Sequence, residues 1–383
     1  MSAAMTKRER VLSAIRREEV DYVPCSPFLN PQEWVQRLGT GYSFPFGPSQ
    51  EERVQYCVDE LDLDMVVSVG WPAYFPSKEV SARTWLDGSI LRKVWRTPSG
   101  DLEAAVRYDR RWHHGLDIPF FTDFAIGRFE KPWLQTEQDV ACLSHILLPP
   151  RTKEHMAVIQ FQWDRSRLLA EQYGLATLYS AGMGLTGAQQ MADSEPICIM
   201  SVENPALLEA YVDLEHQLNL RQYEIALDLG VDIIRRNGFY ESCDFYSPAF
   251  LSSTLGDTLR AETSLVHQAG RLIGYTMLTG YTPLVDHLGS IGIDSLVIPD
   301  PFFRRENPHS LVEGIGSSTS FWTGPSDTIH APYDNQEAMR QAVRDTFEIF
   351  GRRGLLLTVV SSFKATHPWP NFLAMVDEWK SLR

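Results

Sequence analysis

The sequence predicts an α/β protein whose parallel strands form a (β/α)₈ barrel, the TIM barrel. Its apolar runs are short and continuous, as in buried parallel strands, and segments of helical period separate most of them. The eight runs begin near Val23, Asp64, Leu175, Asp232, Leu272, Ser295, Ser320 and Leu355. A strand and a helix repeated about eight times is the pattern of this barrel.

The helical segments carry recognisable end signals. Thr6 and Glu9 form a capping box, and Val11, Leu12 and Ile15 give the first helix its apolar stripe. Two later helices are predicted to start at Asn204 with Pro205 and at Asp334 with Glu337, and to end at Gly230 and Gly351.

Residues 80–150 break this alternation. The stretch Pro98-Ser99-Gly100-Asp101 has the composition of a tight turn, and the segments on each side of it read as hairpin strands. No repeat or linker divides the rest of the chain. We therefore expect one barrel domain over residues 1–383, with a β-hairpin insertion at about residues 80–150, after the second strand.

Composition narrows the class of partner. The chain has 383 residues and a net charge of −14, from 35 basic and 49 acidic residues. Such a charge disfavours nucleic acids and anionic membranes as partners. No apolar run reaches the roughly 20 residues of a membrane helix, and the N-terminus lacks a signal-peptide core. The five cysteines are scattered, which favours a reducing cytoplasm.

The opening of the chain carries a family resemblance. A capped basic helix is followed by the acidic link Glu18-Glu19 and by Asp21-Tyr22-Val23-Pro24 at the entry to a strand. This arrangement resembles the uroporphyrinogen decarboxylase superfamily, which includes porphyrinogen decarboxylases and corrinoid-linked methyltransferases. That superfamily carries a similar hairpin with a "TP-x-G" turn, here Thr97 to Gly100. The resemblance implies a barrel over almost the whole chain, with the hairpin over the catalytic end.

The methyltransferase branch holds zinc with His-x-Cys on one strand and a distant Cys. Met277 and Thr279 stand at the first two positions, and Ser361 or Ser362 stands at the third. A thioether and neutral hydroxyls are poor zinc ligands. Zinc is therefore not expected, and no other metal site is predicted.

The decarboxylase branch binds carboxylates with an arginine-rich loop after the first strand and pyrroles with an Asp after the second. Here the first loop, from Phe28 to Trp34, has no arginine before Arg37, and the second strand ends Val69-Gly70-Trp71-Pro72 without an Asp. The functional residues of both branches are therefore absent from the matching positions of this chain. Either the pocket uses a different set of functional residues or the barrel has lost catalysis.

Three residues are candidates for catalysis: Tyr275, Glu241 and His330. Tyr275 alternates with Met277 and Thr279 on one strand face, which faces the barrel interior if the register of the superfamily holds. Tyr275 could then donate a proton to a leaving group, or Tyr275 and Met277 could simply fill space. Glu241 is the closest match to an acidic residue of the methyltransferases. His330 follows a strand end, as a general acid or base or as an ordinary surface residue.

The substrate-binding candidates surround this centre. Alternation allows only one of Arg235 and Arg236 to point inward, where it could bind a substrate carboxylate through two hydrogen bonds. The alternative is an ion pair with Asp232 or Asp300 that braces the barrel. The other candidates are Asn237, Asp300, Met277, Thr279 and His367, with Trp71 and Trp322 as aromatic walls.

The resemblance implies methyl transfer between a methylated organic donor and a corrinoid (cobalamin). The chain shows no recognisable corrinoid module, so a separate protein would carry that cofactor. A decarboxylase or lyase that uses Arg235 or Arg236 on a carboxylated substrate is the second reading. A non-catalytic binder of small molecules is the third. Barrels of this superfamily often pair, so a homodimer is a further expectation.

Overall fold

The computed structural model describes residues 5–31, 41–110, 112–121 and 129–383. In chain order the strands are β1 (Leu29–Asn30), β2 (Val66–Val69), β3 (Ser81–Asp87), β4 (Ile90–Thr97), β5 (Gly100–Arg107), β6 (Phe129–Lys131), β7 (Ala176–Ala181), β8 (Ile233–Asn237), β9 (Leu272–Thr276), β10 (Ser295–Val297), β11 (Ser320–Thr323), β12 (Leu355–Leu357) and β13 (Phe363–Lys364).

The α-helices within these residues pack around the main sheet, and the first of them covers one of its ends. They are α1 (Lys7–Ile15), α2 (Gln50–Asp59), α3 (Glu137–Leu143), α4 (Lys153–Tyr173), α5 (Gly184–Ala192), α6 (Ser194–Glu203), α7 (Pro205–Leu229), α8 (Pro248–Gln268), α9 (Val285–Ile291), α10 (Pro308–Ile315), α11 (Gln336–Phe350) and α12 (Trp369–Leu382). None of them is both long enough and apolar enough to cross a membrane.

A curled parallel sheet forms the centre of the molecule. Its seven strands, β2 and β7 to β12, neighbour one another in chain order. The segment around Cys25, where the first strand was predicted, forms a single parallel bridge with Leu357 and accepts a hydrogen bond from the amide of Asp64. The alternation read from the sequence is confirmed as an α/β fold with a parallel sheet compatible with a TIM barrel.

Helix α1 covers one end of this sheet. Its predicted capping box is present, because the amide of Glu9 donates to Thr6 Oγ1 at 3.2 Å and the amide of Thr6 donates to Glu9 Oε2 at 2.8 Å. Its apolar residues pack against inward-facing strand residues such as Ile233 and Leu356. Arg8 and Arg10 fix the helix through ion pairs to Asp232 and Asp64.

Strand alternation sets which side chains enter the barrel. On β8, Ile233 joins the interior cluster, whereas Ile234 packs against the surrounding helices. Arg235 therefore points into the barrel and Arg236 points toward the helices. On the neighbouring β9 the inward residues are Leu272, Gly274 and Thr276, in register with the inward residues of β8.

The region that breaks the alternation contains an antiparallel sheet, β3 to β6. Its apolar face shares one core cluster with α3, α5 and α7, through residues such as Leu102, Leu143, Ala188 and Leu208. The prediction that this region covers the carboxyl ends of the barrel strands stays a prediction.

The predicted helix ends are close to those observed. Helix α7 begins at Pro205 and is ended by Gly230, whose φ of +93° lies in the left-handed region that glycine adopts without strain. Helix α11 ends at Gly351, but its N-cap is Asn335 rather than Asp334, since the Asn335 side chain accepts a hydrogen bond from the amide of Ala338.

Candidate substrate site at the open end of the barrel

A cavity of about 260 Å³ lies at the carboxyl ends of the barrel strands. Its wall combines apolar side chains with a few polar ones, as is usual for small-molecule sites. The lining residues are Pro27, Phe28, Leu29, Asn30, Pro31, Arg53, Met65, Val66, Ser68, Arg235, Phe239, Ile298, Ser361 and Ser362. Residues 32–34, at the end of the loop whose sequence lacks the expected arginines, and Arg37 lie outside the described residues.

Arg235 brings positive charge into this cavity. Its guanidinium carbon lies 4.8 Å from the centroid of the Phe28 ring, a cation–π contact. Its Nε is buried and has no hydrogen-bond partner, and no described carboxylate forms an ion pair with it. Burial lowers the pKa of Arg235 to about 10, so the side chain remains charged at neutral pH. An anionic ligand would supply the missing counter-charge.

Arg53 lines the same cavity from helix α2. Its Nη1 donates to the carbonyl of Leu29 at 3.3 Å, burial lowers its pKa, and no described carboxylate pairs with it. A second cavity of about 470 Å³ shares Pro31, Arg53 and Ser68 with the first and reaches the exposed surface of α4. Sequence reasoning missed Arg53, because nothing in its local pattern separates it from an ordinary surface arginine.

A hydrogen-bond network joins the ends of β10 and β11. The hydroxyl of Ser326 donates to Asp300 Oδ2 at 2.6 Å, and the amide of Ser326 donates to His330 Nδ1 at 3.1 Å. Burial raises the pKa of Asp300, and the Ser326 hydrogen bond offsets part of that rise. Burial lowers the pKa of His330. The structure thus brings together two residues that the sequence placed near the site, although neither lines the cavity.

A second polar group reaches the cavity wall. Asp327 pairs with Lys364 Nζ at 2.6 Å and accepts a hydrogen bond from the Ser361 hydroxyl at 3.4 Å. Of these three residues only Ser361 borders the cavity. His367 lies beside Lys364, whose amide donates to its Nδ1 at 3.3 Å, and burial lowers the pKa of His367 to about 4. His367 is therefore neutral at physiological pH.

Arg236 occupies a different environment, between β8 and the surrounding helices. It contacts Glu241 at 3.1 Å and Glu262 at 3.2 Å. The second contact is an ion pair without hydrogen-bond geometry, since neither Arg236 Nε nor Glu262 Oε2 has a hydrogen-bond partner. Glu215 lies close to both carboxylates. The expected brace to Asp232 or Asp300 is wrong, because Arg236 uses these glutamates instead.

Tyr275 belongs to this buried cluster. Its hydroxyl donates to Glu241 Oε2 at 2.6 Å, while the amide of Leu185 donates to the other carboxylate oxygen at 2.9 Å. Burial raises the pKa of Glu241 and of Glu215, and the charge on Arg236 opposes both shifts. Gly184 makes room for the cluster, because a Cβ atom there would lie 2.1 Å from Glu241 Oε1.

The predicted inward face of β9 is wrong. Tyr275 and Met277 point toward the helices and are at most 1% exposed, whereas Gly274 and Thr276 face the barrel interior. Thr279 lies beyond the strand and donates to Asp244 Oδ2 at 2.6 Å. The structure therefore joins Tyr275 to Glu241 but holds that pair away from the cavity and from His330.

The four residues that the resemblance placed at zinc-ligand positions do not converge here. Met277 is buried in the helical layer, Thr279 contacts Asp244, and Ser361 and Ser362 line the cavity. A thioether and hydroxyls placed in this way do not fit zinc. Within the part of the chain that the structure describes, no three His, Cys, Asp or Glu side chains form a group that could hold a metal.

The remaining candidates line no part of the cavity. Trp71 stacks on Tyr179, with ring centroids 4.1 Å apart, in the helical layer. Trp322 fills the barrel interior beneath Phe28, and its Nε1 donates to the carbonyl of Ser26 at 2.8 Å. Asn237 is 8% exposed, and its buried Oδ1 has no hydrogen-bond partner.

Comparison with known proteins supports the fold. No family model and no curated protein matches the chain. It is similar to the structure of a methyltransferase from Methanosarcina mazei, with a TM-score of 0.63 and 14% identity over 98% of this chain and 99% of that one. A 3-keto-D-glucoside 4-epimerase from E. coli has a TM-score of 0.38 and 11% identity over 58% and 84% of the two chains. The first similarity shows the fold alone, and the second is too low to carry an argument.

Proposed function

We propose that this chain is a small-molecule methyltransferase with a (β/α)₈ barrel, in which the segment around Cys25 takes the place of the eighth strand. The observation that carries the substrate site is the inward guanidinium of Arg235 at the cavity, with which no carboxylate of the described residues forms an ion pair. It favours a donor with an anionic group, which Arg235 would hold through charge-assisted hydrogen bonds. The full-length similarity to a methyltransferase supports the reaction class.

The acceptor in this proposal is a corrinoid on a separate protein, which would supply a nucleophilic metal centre for the methyl group. A corrin ring is larger than the cavity, so it would remain at the rim. The chain itself would bind and orient the donor: Arg235 holds the anionic end, and Phe28, Val66 and Ile298 contact the carbon skeleton. Ser361, backed by Asp327, is the hydroxyl through which a proton could reach the leaving group.

Decarboxylation or another lyase reaction is the second candidate. Arg235 supports this candidate, because an arginine that points into the barrel could hold a substrate carboxylate through two hydrogen bonds. Arg235 could bind an anionic ligand in the same way if the protein is a non-catalytic binder. The methyltransferase, lyase and binder hypotheses therefore predict the same binding site for the ligand and differ only in the reaction that follows.

The test is an assay of purified protein with chemically reduced cobalamin and a panel of methyl donors. Each donor is a carboxylic acid that also carries a methyl ether or a methylated amine. Methylated cobalamin is measured by absorbance and CO₂ release is measured in parallel. The methyltransferase reading requires methylated cobalamin in the wild type and at least about a tenfold loss in Arg235→Gln. The exposed Arg167, paired with Glu171 at 2.6 Å, provides a matched control as Arg167→Gln and should retain activity.

The other outcomes select between the remaining readings. CO₂ release without methylated cobalamin would reject the methyltransferase hypothesis and support the lyase hypothesis. Ligand binding without either product would support the non-catalytic binder. Elemental analysis of the same protein should find no stoichiometric zinc. Retention of one zinc per chain would mean that ligands other than Met277 and Thr279 restore the metal site.

Homodimer formation is a separate proposal, which sedimentation would test.

A further inference from the structure

Two half-buried guanidiniums share one cavity without an ion-paired carboxylate among the described residues. Arg235 rests over Phe28, and Arg53 donates a hydrogen bond to a backbone carbonyl. A charge that is removed from water without a counter-charge is destabilising, and the fully buried Arg236 is compensated by two glutamates in contact. The chain carries a net charge of −14, yet none of the described acidic residues forms an ion pair with either arginine. Glu51, which lines the cavity of about 470 Å³ beside Arg53, is ion-paired with Arg165 at 2.7 Å instead.

The two arginines line different cavities. Arg235, on β8, lines only the cavity of about 260 Å³. Arg53 lines that cavity and also the one of about 470 Å³, so it stands where the two cavities meet. The wall of the smaller cavity contains the apolar Val66 and Ile298 as well as the polar Ser68 and Ser361. This lining therefore combines two positive charges with apolar surface that could contact a carbon skeleton.

We infer that the site takes a small organic dianion, with one anionic group at Arg235, a short carbon skeleton against the apolar wall, and a second anionic group at Arg53. This inference rests on the proposed function, since it names the substrate class of the same cavity. Planar guanidinium groups match carboxylate and phosphate oxygens, so both kinds of anion share this chemistry. A free inorganic anion would reach one guanidinium and leave the apolar wall without contact.

The test is isothermal titration calorimetry with succinate, glutarate and adipate, with butyrate as the singly charged comparison. A phosphorylated carboxylic acid and inorganic phosphate form two further arms. The wild type should bind the best-fitting dianion at least about tenfold more tightly than butyrate, because each charge-assisted hydrogen bond contributes separately. Affinity should fall as the salt concentration rises.

Variants assign each anionic group to its arginine. Arg53→Gln should reduce dianion affinity to the butyrate level and leave butyrate binding unchanged. Arg235→Gln should weaken both ligands, and Arg167→Gln should weaken neither. If Arg53→Gln fails to fold by circular dichroism, Arg53→Lys keeps the charge but loses the paired geometry, and it should lose part of the preference.

Several results would overturn the inference. The first is equal affinity for butyrate and for every dianion. The second is an affinity for inorganic phosphate that equals the affinity for the organic dianions. The third is a preference for dianions over butyrate that remains in Arg53→Gln. A phosphorylated carboxylic acid that binds more tightly than the dicarboxylates supports it and identifies phosphate as the second group. Methyl transfer from a monoanionic donor with no dianion preference refutes this inference alone. Tight dianion binding without methyl transfer refutes the proposed reaction alone.

Discussion

Adjacent arginines on β8 should respond in opposite ways to the same substitution. Arg236 is 3% exposed at its side chain and contacts two carboxylates that are 0% and 2% exposed. Arg236→Met would leave these groups buried without a cation, and breaking a buried ion pair from one side costs about 3–5 kcal/mol. Arg235→Met removes a charge that no described carboxylate neutralises, so unfolding free energy should stay within about 1 kcal/mol of wild type or rise.

The assay is urea unfolding of both variants, with Arg236→Lys as a variant that keeps the charge. The deficit of Arg236→Met should shrink as pH falls, because burial already raises the pKa of Glu215 and Glu241 and loss of the cation raises both further. A carboxyl group whose pKa is raised in the folded state stabilises at low pH and loses that contribution as pH rises. Equal losses in Arg235→Met and Arg236→Met would refute the assignment of inward and outward faces.

Three further substitutions test the buried cluster and the polar network. Tyr275→Phe removes a 2.6 Å hydrogen bond to the buried Glu241 and should cost about 1.5–3 kcal/mol in urea unfolding; a large fall in kcat at unchanged stability would instead make Tyr275 catalytic. Because the pKa of His367 is depressed from 6.5 to about 4, the wild type should lose stability as pH falls through that interval. His367→Gln should flatten that loss, and an unchanged pH profile would contradict it. Gly184→Ala, at a φ of +44° and with no room for a Cβ atom, should lower the melting temperature, and a neutral result would mean that the loop adjusts.

The arrangement of elements could be predicted from the sequence because it depends on signals that repeat. Strand-length apolar runs, helix caps such as Thr6 with Glu9, and the left-handed Gly230 each act locally. The turn at Pro98 to Gly100 likewise joins β4 and β5, which pair in register from Thr97 with Gly100 onward. Local signals of this kind survive folding because the tertiary structure reinforces them.

The site could not be predicted in the same way, because it depends on which strand face is inside. All five residues of β9, Leu272–Thr276, are buried, so alternation in hydrophobicity is absent and the inward face is not marked. A shift of one residue exchanges the faces, which is why Tyr275 was placed inside and Gly274 was overlooked. Arg53 joins the cavity from a helix distant in sequence from β8, and only the tertiary structure brings it to Arg235.

The pairing of the first strand segment with the last ones constrains the order in which the protein can mature. Cys25 bridges to Leu357, Leu29 pairs with Phe363, and the Trp379 indole donates to the carbonyl of Val23 at 2.7 Å. During synthesis residues 23–29 leave the ribosome more than 300 residues before their partners at 357–379. The seam of the sheet therefore closes only after those partners have been synthesised, and until then the nascent chain presents an unpaired edge that chaperones would have to protect.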